Sequence, residues 1–178
     1  VITSLTDKPV TFIPSHFHYD HVGDGLPFDK IAIVDLPHIS NRGIDGQLTL
    51  QWHEHLGAIE GYATPNFKVS EWLQPGGDIE LGNRILRVVY TPGHTNDSIS
   101  LYDPVADFLF SGDFIYQGDL YAFLPNSSLG EYEQGSDNLL GYISAQTRIY
   151  AAHRLHPPGV PVLGLKDIKD LRQMLSNI

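Results

Sequence analysis

Three histidines and one aspartate fall within six consecutive positions near the start of the chain, at His16, His18, Asp20 and His21. Neutral imidazole is the commonest zinc ligand and carboxylate is its usual partner, so this density predicts a metal site. Residues i and i+2 of a strand point to one side, which lets His16 and His18 point together where a short strand over 9–13 ends. The glycines that follow predict a tight loop and a helix start, which turn Asp20 and His21 toward a second point. One segment can therefore serve two adjacent metal ions.

The elements that must position these side chains are predicted by apolar runs and by turn residues between them. Gly82-Asn83 is a plausible two-residue hairpin turn. The last helix is amphipathic, with Ile168, Leu171, Met174 and Leu175 on one stripe. The predicted strands are 9–13, 28–36, 78–81, 84–90, 98–102, 107–110 and 148–152, residues 72–78 are a predicted turn, and the predicted helices are 139–147 and 166–178.

A second His-x-His, formed by His53 and His55, lies in a stretch over 49–59 that is either one helix or an irregular insertion. No carboxylate–histidine pair follows it at ligand spacing, and it does not match the His-Glu-x-x-His helix motif. We therefore expect a structural or surface role for these two histidines.

Composition narrows the class of protein. A chain of 178 residues that is 42% hydrophobic suits one domain over 1–178 with a sizeable core. A formal charge of −10 with only 11 Lys+Arg disfavours nucleic acid or an anionic membrane as partner. Cysteine is absent, so any metal must be held by nitrogen and oxygen. No apolar run reaches membrane-spanning length, so we expect a soluble chain; compartment and oligomeric state stay open, with the cytoplasm favoured.

The order His-x-His-x-Asp-His over 16–21 resembles the signature of the metallo-β-lactamase fold superfamily, whose members are mostly metal-dependent hydrolases. Two further motifs match that family, Thr-Pro-Gly-His-Thr over 91–95 and Ser-Gly-Asp over 111–113. Classical antibiotic-degrading members commonly carry a cysteine at or near the second motif, whereas this chain has Asp113, as glyoxalase II-like and lactonase-like members do. The resemblance implies an α/β fold, an αββα sandwich of two mixed β-sheets flanked by helices, with the site at one edge between the sheets.

Two histidines compete to be the last ligand that the resemblance implies. The family's last histidine follows a strand and usually a small residue, and Ala151-Ala152-His153 fits this pattern. His156 is one step too late and precedes two prolines. The family's usual Pro-Gly before this histidine is absent here. We favour His153 and keep His156 as the alternative.

The resemblance also implies which residues hold which ion. Two zinc ions are expected, with iron or manganese as alternatives, and such a pair lowers the pKa of a shared water toward ~7, so that hydroxide is available to attack an acyl carbon. Asp20 or Asp113 would carry the proton, and Tyr116 is a candidate oxyanion donor that competes with simple packing. The implied ligands are His16, His18 and His94 for one ion and Asp20, His21 and His153 for the other, with Asp113 bridging them.

The segment 114–132 is aromatic and apolar but is broken by Gly118, Pro125 and Asn126, so it cannot be one regular helix. We expect it to wall a substrate pocket, with ordinary packing under a loop as the alternative. A faint similarity to acyl-thioester hydrolases ranks a small-molecule thioester or ester first, a lactone next and a β-lactam third. The alternative functions are an iron-dependent persulfide dioxygenase and an inactive, metal-stabilised binding module.

One departure from the family concerns the start of the chain. The family normally has several strands before its His-rich motif, and only fifteen residues precede His16 here. We expect the encoding gene to supply the upstream strands, because a sandwich without them would expose an apolar sheet edge and face.

Overall fold

The computed structural model describes residues 4–23, 25–153 and 163–178, and these form an α/β fold. The second candidate for the last ligand, His156, lies outside the described residues. The strands are β1 (Thr11–Phe12), β2 (Lys30–Val34), β3 (Gln47–Thr49), β4 (Asn66–Lys68), β5 (Glu71–Leu73), β6 (Asp78–Glu80), β7 (Ile85–Tyr90), β8 (Ile99–Asp103), β9 (Phe108–Gly112) and β10 (Arg148–Ala151). The helices are α1 (Tyr19–Val22), α2 (Pro37–Ser40), α3 (Trp52–His55), α4 (Leu129–Leu140) and α5 (Leu165–Leu175), with a 3-10 helix at Gly57–Glu60.

The described strands form two main sheets and one separate two-stranded sheet. A three-stranded sheet has the order β1-β2-β5, and its pairs are parallel. A five-stranded sheet has the order β10-β9-β8-β7-β6 and is mixed, because β10 joins β9 in parallel while the other neighbours are antiparallel. Strands β3 and β4 form a separate antiparallel pair. The α/β fold class that the sequence predicts is confirmed.

Two hydrophobic clusters account for the layers. The first joins Ile31 and Ile33 of β2 to Val88 and Ile99 of the five-stranded sheet, so it lies between the sheets. The second joins Leu109 and Ile149 of the five-stranded sheet to the buried faces of α4 and α5. Each large side chain that is fully buried in this way contributes roughly 1.5–3 kcal/mol. The five-stranded sheet is therefore packed on both faces, which fixes the strand ends that carry the site.

The prediction of a helix over 139–147 was wrong. The helix is α4, which ends at Leu140, and the chain then turns until β10 begins. Helix α4 has a clear start, because the Ser128 side chain accepts a hydrogen bond from the amide of Glu131. Its glycines, Gly130 and Gly135, and its many polar residues obscure the helical period on which the sequence prediction depended.

Helix α5 matches the predicted amphipathic helix over 166–178 except that it ends at Leu175 and leaves Met174 exposed. Ile168, Leu171 and Leu175 are buried, whereas Met174 is 53% exposed. At 100° per residue Met174 lies at the margin of the stripe that the other three define. No helix in the described part of the chain is both long enough and apolar enough to cross a membrane.

Short elements account for the remaining differences. The sequence analysis assigned Trp72 and Leu73 to a turn, but they belong to β5, which is too short to show a period. The stretch 49–59 is not one helix, since α3 ends at His55 and the next residue, Leu56, has a left-handed φ of +56°. The hairpin turn at Gly82-Asn83 is confirmed: the Leu81 amide donates to the Arg84 carbonyl at 2.8 Å, and Gly82 has a φ of +92°.

Candidate active site

The His-rich segment runs from the end of β1 into α1 along one edge of the five-stranded sheet. The Ile99 amide donates to the Ser15 carbonyl at 2.8 Å, which attaches the segment to the start of β8. His18 is the residue just before α1, with extended backbone angles (φ −59°, ψ 148°), and Asp20 and His21 lie in the helix. This change from extended chain to helix separates the first two ligand candidates from the next two, as the sequence predicted.

His94 lies in the tight loop between β7 and β8. The loop is closed by the amide of Thr91, which donates to the Ser98 carbonyl at 3.0 Å. Gly93 has a φ of +139°, and a Cβ there would lie 2.4–2.5 Å from Tyr132 of α4. Glycine is therefore required next to His94, because any side chain would push the loop away from the helix.

Asp113 and His153 follow two neighbouring strands, β9 and β10. These strands are parallel, so the chain leaves both at the same edge of the sheet. The amide of Ala152 donates to the carbonyl of Gly112 at 3.1 Å, which extends the pairing almost to both side chains. His153 thus emerges beside Asp113, and its side chain is 47% exposed.

The structure brings all seven predicted ligand candidates together in two adjacent groups. In the first group, His18 Nδ1 lies 3.0 Å from His16 Nε2 and 3.1 Å from His94 Nε2. In the second, His21 Nε2 lies 3.3 Å from His153 Nε2, and the Oδ2 of Asp20 lies 3.5 and 3.2 Å from those two nitrogens.

Asp113 lies between the groups. Its Oδ1 is 3.2 Å from His21 Nε2, while its Oδ2 is 3.2 Å from His153 Nε2 and 3.6 Å from His94 Nε2. The two oxygens of one carboxylate therefore face both groups of nitrogens.

Burial and mutual proximity keep the three histidines of the first group, His16, His18 and His94, neutral. Burial lowers the pKa of His16 well below its ordinary value, helped by the neighbouring imidazoles, and lowers that of His18 to about 4. Burial likewise lowers the pKa of His94, against the opposing charge of Asp113. Neutral imidazole is the form that binds a metal ion.

His21 behaves differently. Burial lowers its pKa, but the hydrogen bond and charge of Asp113 outweigh burial and raise it. The same contact dominates at Asp113, whose pKa falls although burial alone would raise it. In the absence of a cation, the contact therefore favours the charged forms of His21 and Asp113.

Three residues that were not predicted from the sequence contact these histidines. His94 Nδ1 lies 2.9 Å from the Tyr121 carbonyl, and a carbonyl can only accept, so Nδ1–H donates and Nε2 is left with a free lone pair in the neutral ring. Ser127 Oγ donates to the His94 carbonyl at 2.6 Å. Ser15 Oγ lies within 3.2 Å of His16 Nδ1 and 3.4 Å of His21 Nδ1. Only adjacency to the His-rich motif marked Ser15 in the sequence.

The donor atoms fit a divalent transition metal. Three groups of side chains have ligand atoms within 4.8 Å of one another: His16, His18 and His94; His16, His21 and Asp113; Asp20, His21 and His153. Imidazole with carboxylate and no thiolate suits zinc, iron or manganese. His53 and His55 belong to none of these groups.

Tyr116 lies at the side of the site. Its ring centroid is 5.7 Å from that of His153, and its hydroxyl donates to the Asp119 carbonyl at 2.8 Å. Burial, with the charge of Asp113, raises its pKa to about 12, so the hydroxyl keeps its proton near neutrality and has a hydrogen bond to give.

A cavity of about 890 Å³ opens onto the two groups. Its floor includes His18, His94, Asp113 and His153. One wall comes from residues 52–60 and the other from residues 116–125, so the predicted pocket wall within 114–132 is confirmed. Asn126 Nδ2 donates to the His53 carbonyl at 3.5 Å, which joins the two walls.

The comparisons with known proteins agree with this geometry. The sequence model described as the metallo-β-lactamase superfamily matches residues 7–164. The chain belongs to this superfamily. It is 31% identical over 142 residues to the human acyl-coenzyme A thioesterase MBLAC2, covering 75% of this chain and 51% of that protein.

A second relative and a solved structure also match the chain. The chain is 26% identical over 155 residues to the hydroxyacylglutathione hydrolase of Synechococcus, covering 85% of this chain and 52% of that one. The crystal structure of ETHE1 from Myxococcus xanthus superimposes with a TM-score of 0.62 at 18% identity, over 99% of this chain and 67% of that one. The chain spans about half the length of the curated relatives it matches.

Proposed function

We propose that this protein is a metal-dependent hydrolase that cleaves a small-molecule thioester. The observation that carries the proposal is the convergence of seven histidine and aspartate side chains, five of which line one open cavity. Two curated relatives support the choice of bond, since one is named a thioesterase and the other a hydrolase of an acylglutathione. Esters and lactones rank next, and β-lactams rank third.

In the proposed site His16, His18 and His94 hold one zinc ion and Asp20, His21 and His153 hold the other, with Asp113 between them. Two divalent ions bound there would lower the pKa of a water toward ~7 and polarise the substrate carbonyl.

This chain's own residues supply the remaining steps. Asp20, 39% exposed at its side chain and 3.2 Å from His153, is placed to accept a proton at its carboxylate on the cavity side. Tyr116 is placed to donate its hydroxyl hydrogen to the oxygen that gains charge during the attack. Its present acceptor is the Asp119 carbonyl, so this role requires the hydroxyl to change partner when substrate binds.

The test is thioester hydrolysis by purified protein, followed by release of the free thiol, together with elemental analysis. We expect close to two zinc-type ions per chain, loss of hydrolysis after chelation and recovery when zinc is added back. One ion or none in an unchelated sample contradicts the dinuclear site. Iron together with oxygen uptake contradicts hydrolysis and supports the persulfide oxidation considered from the sequence.

A further inference from the structure

Three large apolar side chains are exposed around the mouth of the cavity. Trp52 is 69% exposed and Ile59 is 95% exposed on one wall, and Phe123 is 77% exposed on the other. Single exposed apolar residues need no explanation, but a group that rims one cavity marks a binding surface. Leu56 and Leu124 continue this apolar lining.

The charges on the same walls have one sign. Outside the seven candidate ligands, the charged residues among the described lining are Glu60 on one wall and Asp119 on the other, and both are exposed. No lysine or arginine occurs among the described lining residues. A substrate carboxylate between these walls would meet repulsion from both sides.

The walls are connected directly to the proposed metal site. Tyr121, within the same wall as Phe123, accepts the hydrogen bond from His94 Nδ1. The exposed side chains of Trp52 and Phe123 therefore line one continuous cavity whose floor holds His94 and Asp113. A group that extends from a carbonyl on that floor lies along the apolar walls.

We infer that the substrate is a thioester whose acyl group is apolar and uncharged, held between Trp52, Ile59 and Phe123, while Glu60 and Asp119 exclude acyl groups that end in a carboxylate. This inference rests on the hydrolase function proposed above. In the reaction water adds to the acyl carbon, the C–O bond forms as the C–S bond breaks, and the protons of water leave with the thiol and the carboxylic acid. No oxidant or reductant takes part.

The experiment uses three thioesters of the uncharged thiol N-acetylcysteamine, with acetyl, octanoyl and 7-carboxyheptanoyl groups, and zinc-loaded full chain. A fully buried methylene is worth about fourfold in binding, so with partial burial we expect kcat/KM to rise by at least tenfold from acetyl to octanoyl. The 7-carboxyheptanoyl group has the same chain length as octanoyl but ends in a carboxylate. We expect this carboxylate to lower kcat/KM by at least about tenfold relative to octanoyl.

Variants assign these effects to the walls. Trp52→Ala and Ile59→Ser should reduce the octanoyl-to-acetyl ratio severalfold, whereas Val105→Ala, an exposed apolar residue outside the cavity, should leave it unchanged. Glu60→Gln combined with Asp119→Asn should reduce the octanoyl-to-carboxyheptanoyl ratio. Glu71→Gln combined with Glu80→Gln makes the same change of charge at exposed positions of β5 and β6, outside the cavity, and should not alter that ratio.

Calorimetry with octanoate, acetate and octanedioate gives a second readout that needs no turnover. We expect octanoate to bind at least tenfold more tightly than either of the others. Equal binding, or equal rates for the three thioesters, overturns the inference while leaving hydrolysis intact. Selective octanoate binding without turnover of any thioester overturns the hydrolase function and leaves the selectivity of the walls standing.

Discussion

His94 donates a hydrogen bond from Nδ1 to the backbone carbonyl of Tyr121, 2.9 Å away. The bond selects the tautomer that presents Nε2 to His18 and Asp113. Partners of this kind commonly orient metal-binding histidines and raise their basicity. Because Tyr121 belongs to the cavity wall, the position of the wall and the orientation of a proposed ligand depend on the same contact.

Asp113→Ala should remove most hydrolysis while leaving the fold intact. The carboxylate is the group that faces both sets of nitrogens, so its loss weakens both ion sites at once. Even changes one step removed from a metal cost about 10–100-fold, and we expect a loss of at least 100-fold in kcat/KM, measured after circular dichroism has verified the fold. Asp170→Ala, on the exposed face of α5, is the control. Near-normal turnover by the Asp113 variant would mean that the site is misplaced.

His153→Ala should lose one ion and nearly all activity, whereas His156→Ala should keep both ions. His153 follows β10, whose pairing with β9 fixes the backbone, and a metal site must hold its ligands to about half an ångström. Parallel zinc titrations of the two metal-free variants, monitored by calorimetry, measure the number of ions bound. If His156→Ala is the variant that stops at one ion, the last ligand has been assigned to the wrong histidine.

Gly135→Ala should destabilise the protein and Gly130→Ala should not, although both positions lie in α4. A Cβ at Gly135 would come within 2.5 Å of the Pro92 carbonyl and 2.6 Å of the Phe114 ring, while at Gly130 the nearest atom beyond its chain neighbours and the helix backbone, Ser128 Oγ, is 4.0 Å away. Overpacking costs about 1–3 kcal/mol, whereas alanine in an open helical position gains up to about 1 kcal/mol. Urea denaturation of both variants measures the difference. Since Pro92 belongs to the His94 loop, only Gly135→Ala should also weaken zinc binding.

Asp97→Asn should change how stability depends on pH. Asp97 is 3% exposed, and burial, aided by the charge of Glu54, raises its pKa to about 7. Between pH 4 and pH 7 the folded protein thus holds a proton that the unfolded chain has released, and the contribution of Asp97 to stability is lost as pH rises through this range. Asparagine cannot ionise. The free energy of unfolding of the variant minus that of the natural chain should therefore increase by about 2–3 kcal/mol from pH 5 to pH 8.

Urea denaturation of the metal-free natural chain and of Asp97→Asn, each at pH 5 and at pH 8, measures this increase in the stability difference. Titrating histidines are common to the two proteins and cancel in the comparison, except for His21, whose pKa the charge of Asp97 helps to raise. A difference in stability that stays constant from pH 5 to pH 8 would show that Asp97 is already ionised at pH 5.

The site was more predictable from the sequence than the helices were. The His-rich motif, His94 and Asp113 are each fixed by short motifs at strand ends, so local sequence was enough to expect them together. Helix α4 was missed because Gly135, which the close approach of Pro92 requires, is a poor helix former. The His94–Tyr121 bond was not predictable, because a backbone carbonyl carries no sequence signal and its position depends on the path of an irregular segment.

The two walls and the floor of the cavity have different structural support. The floor residues come from strand ends and from α1, whereas residues 117–125 and 56–60 lie outside the β-sheets. Substitutions, insertions or exchanges in the walls therefore leave the sheet hydrogen bonds that position Asp113 and His153 untouched. Such an arrangement makes the protein a good starting point for directed evolution, since libraries of wall side chains that keep the Tyr121 carbonyl against His94 can diversify the accepted acyl group while retaining the same metal-binding framework.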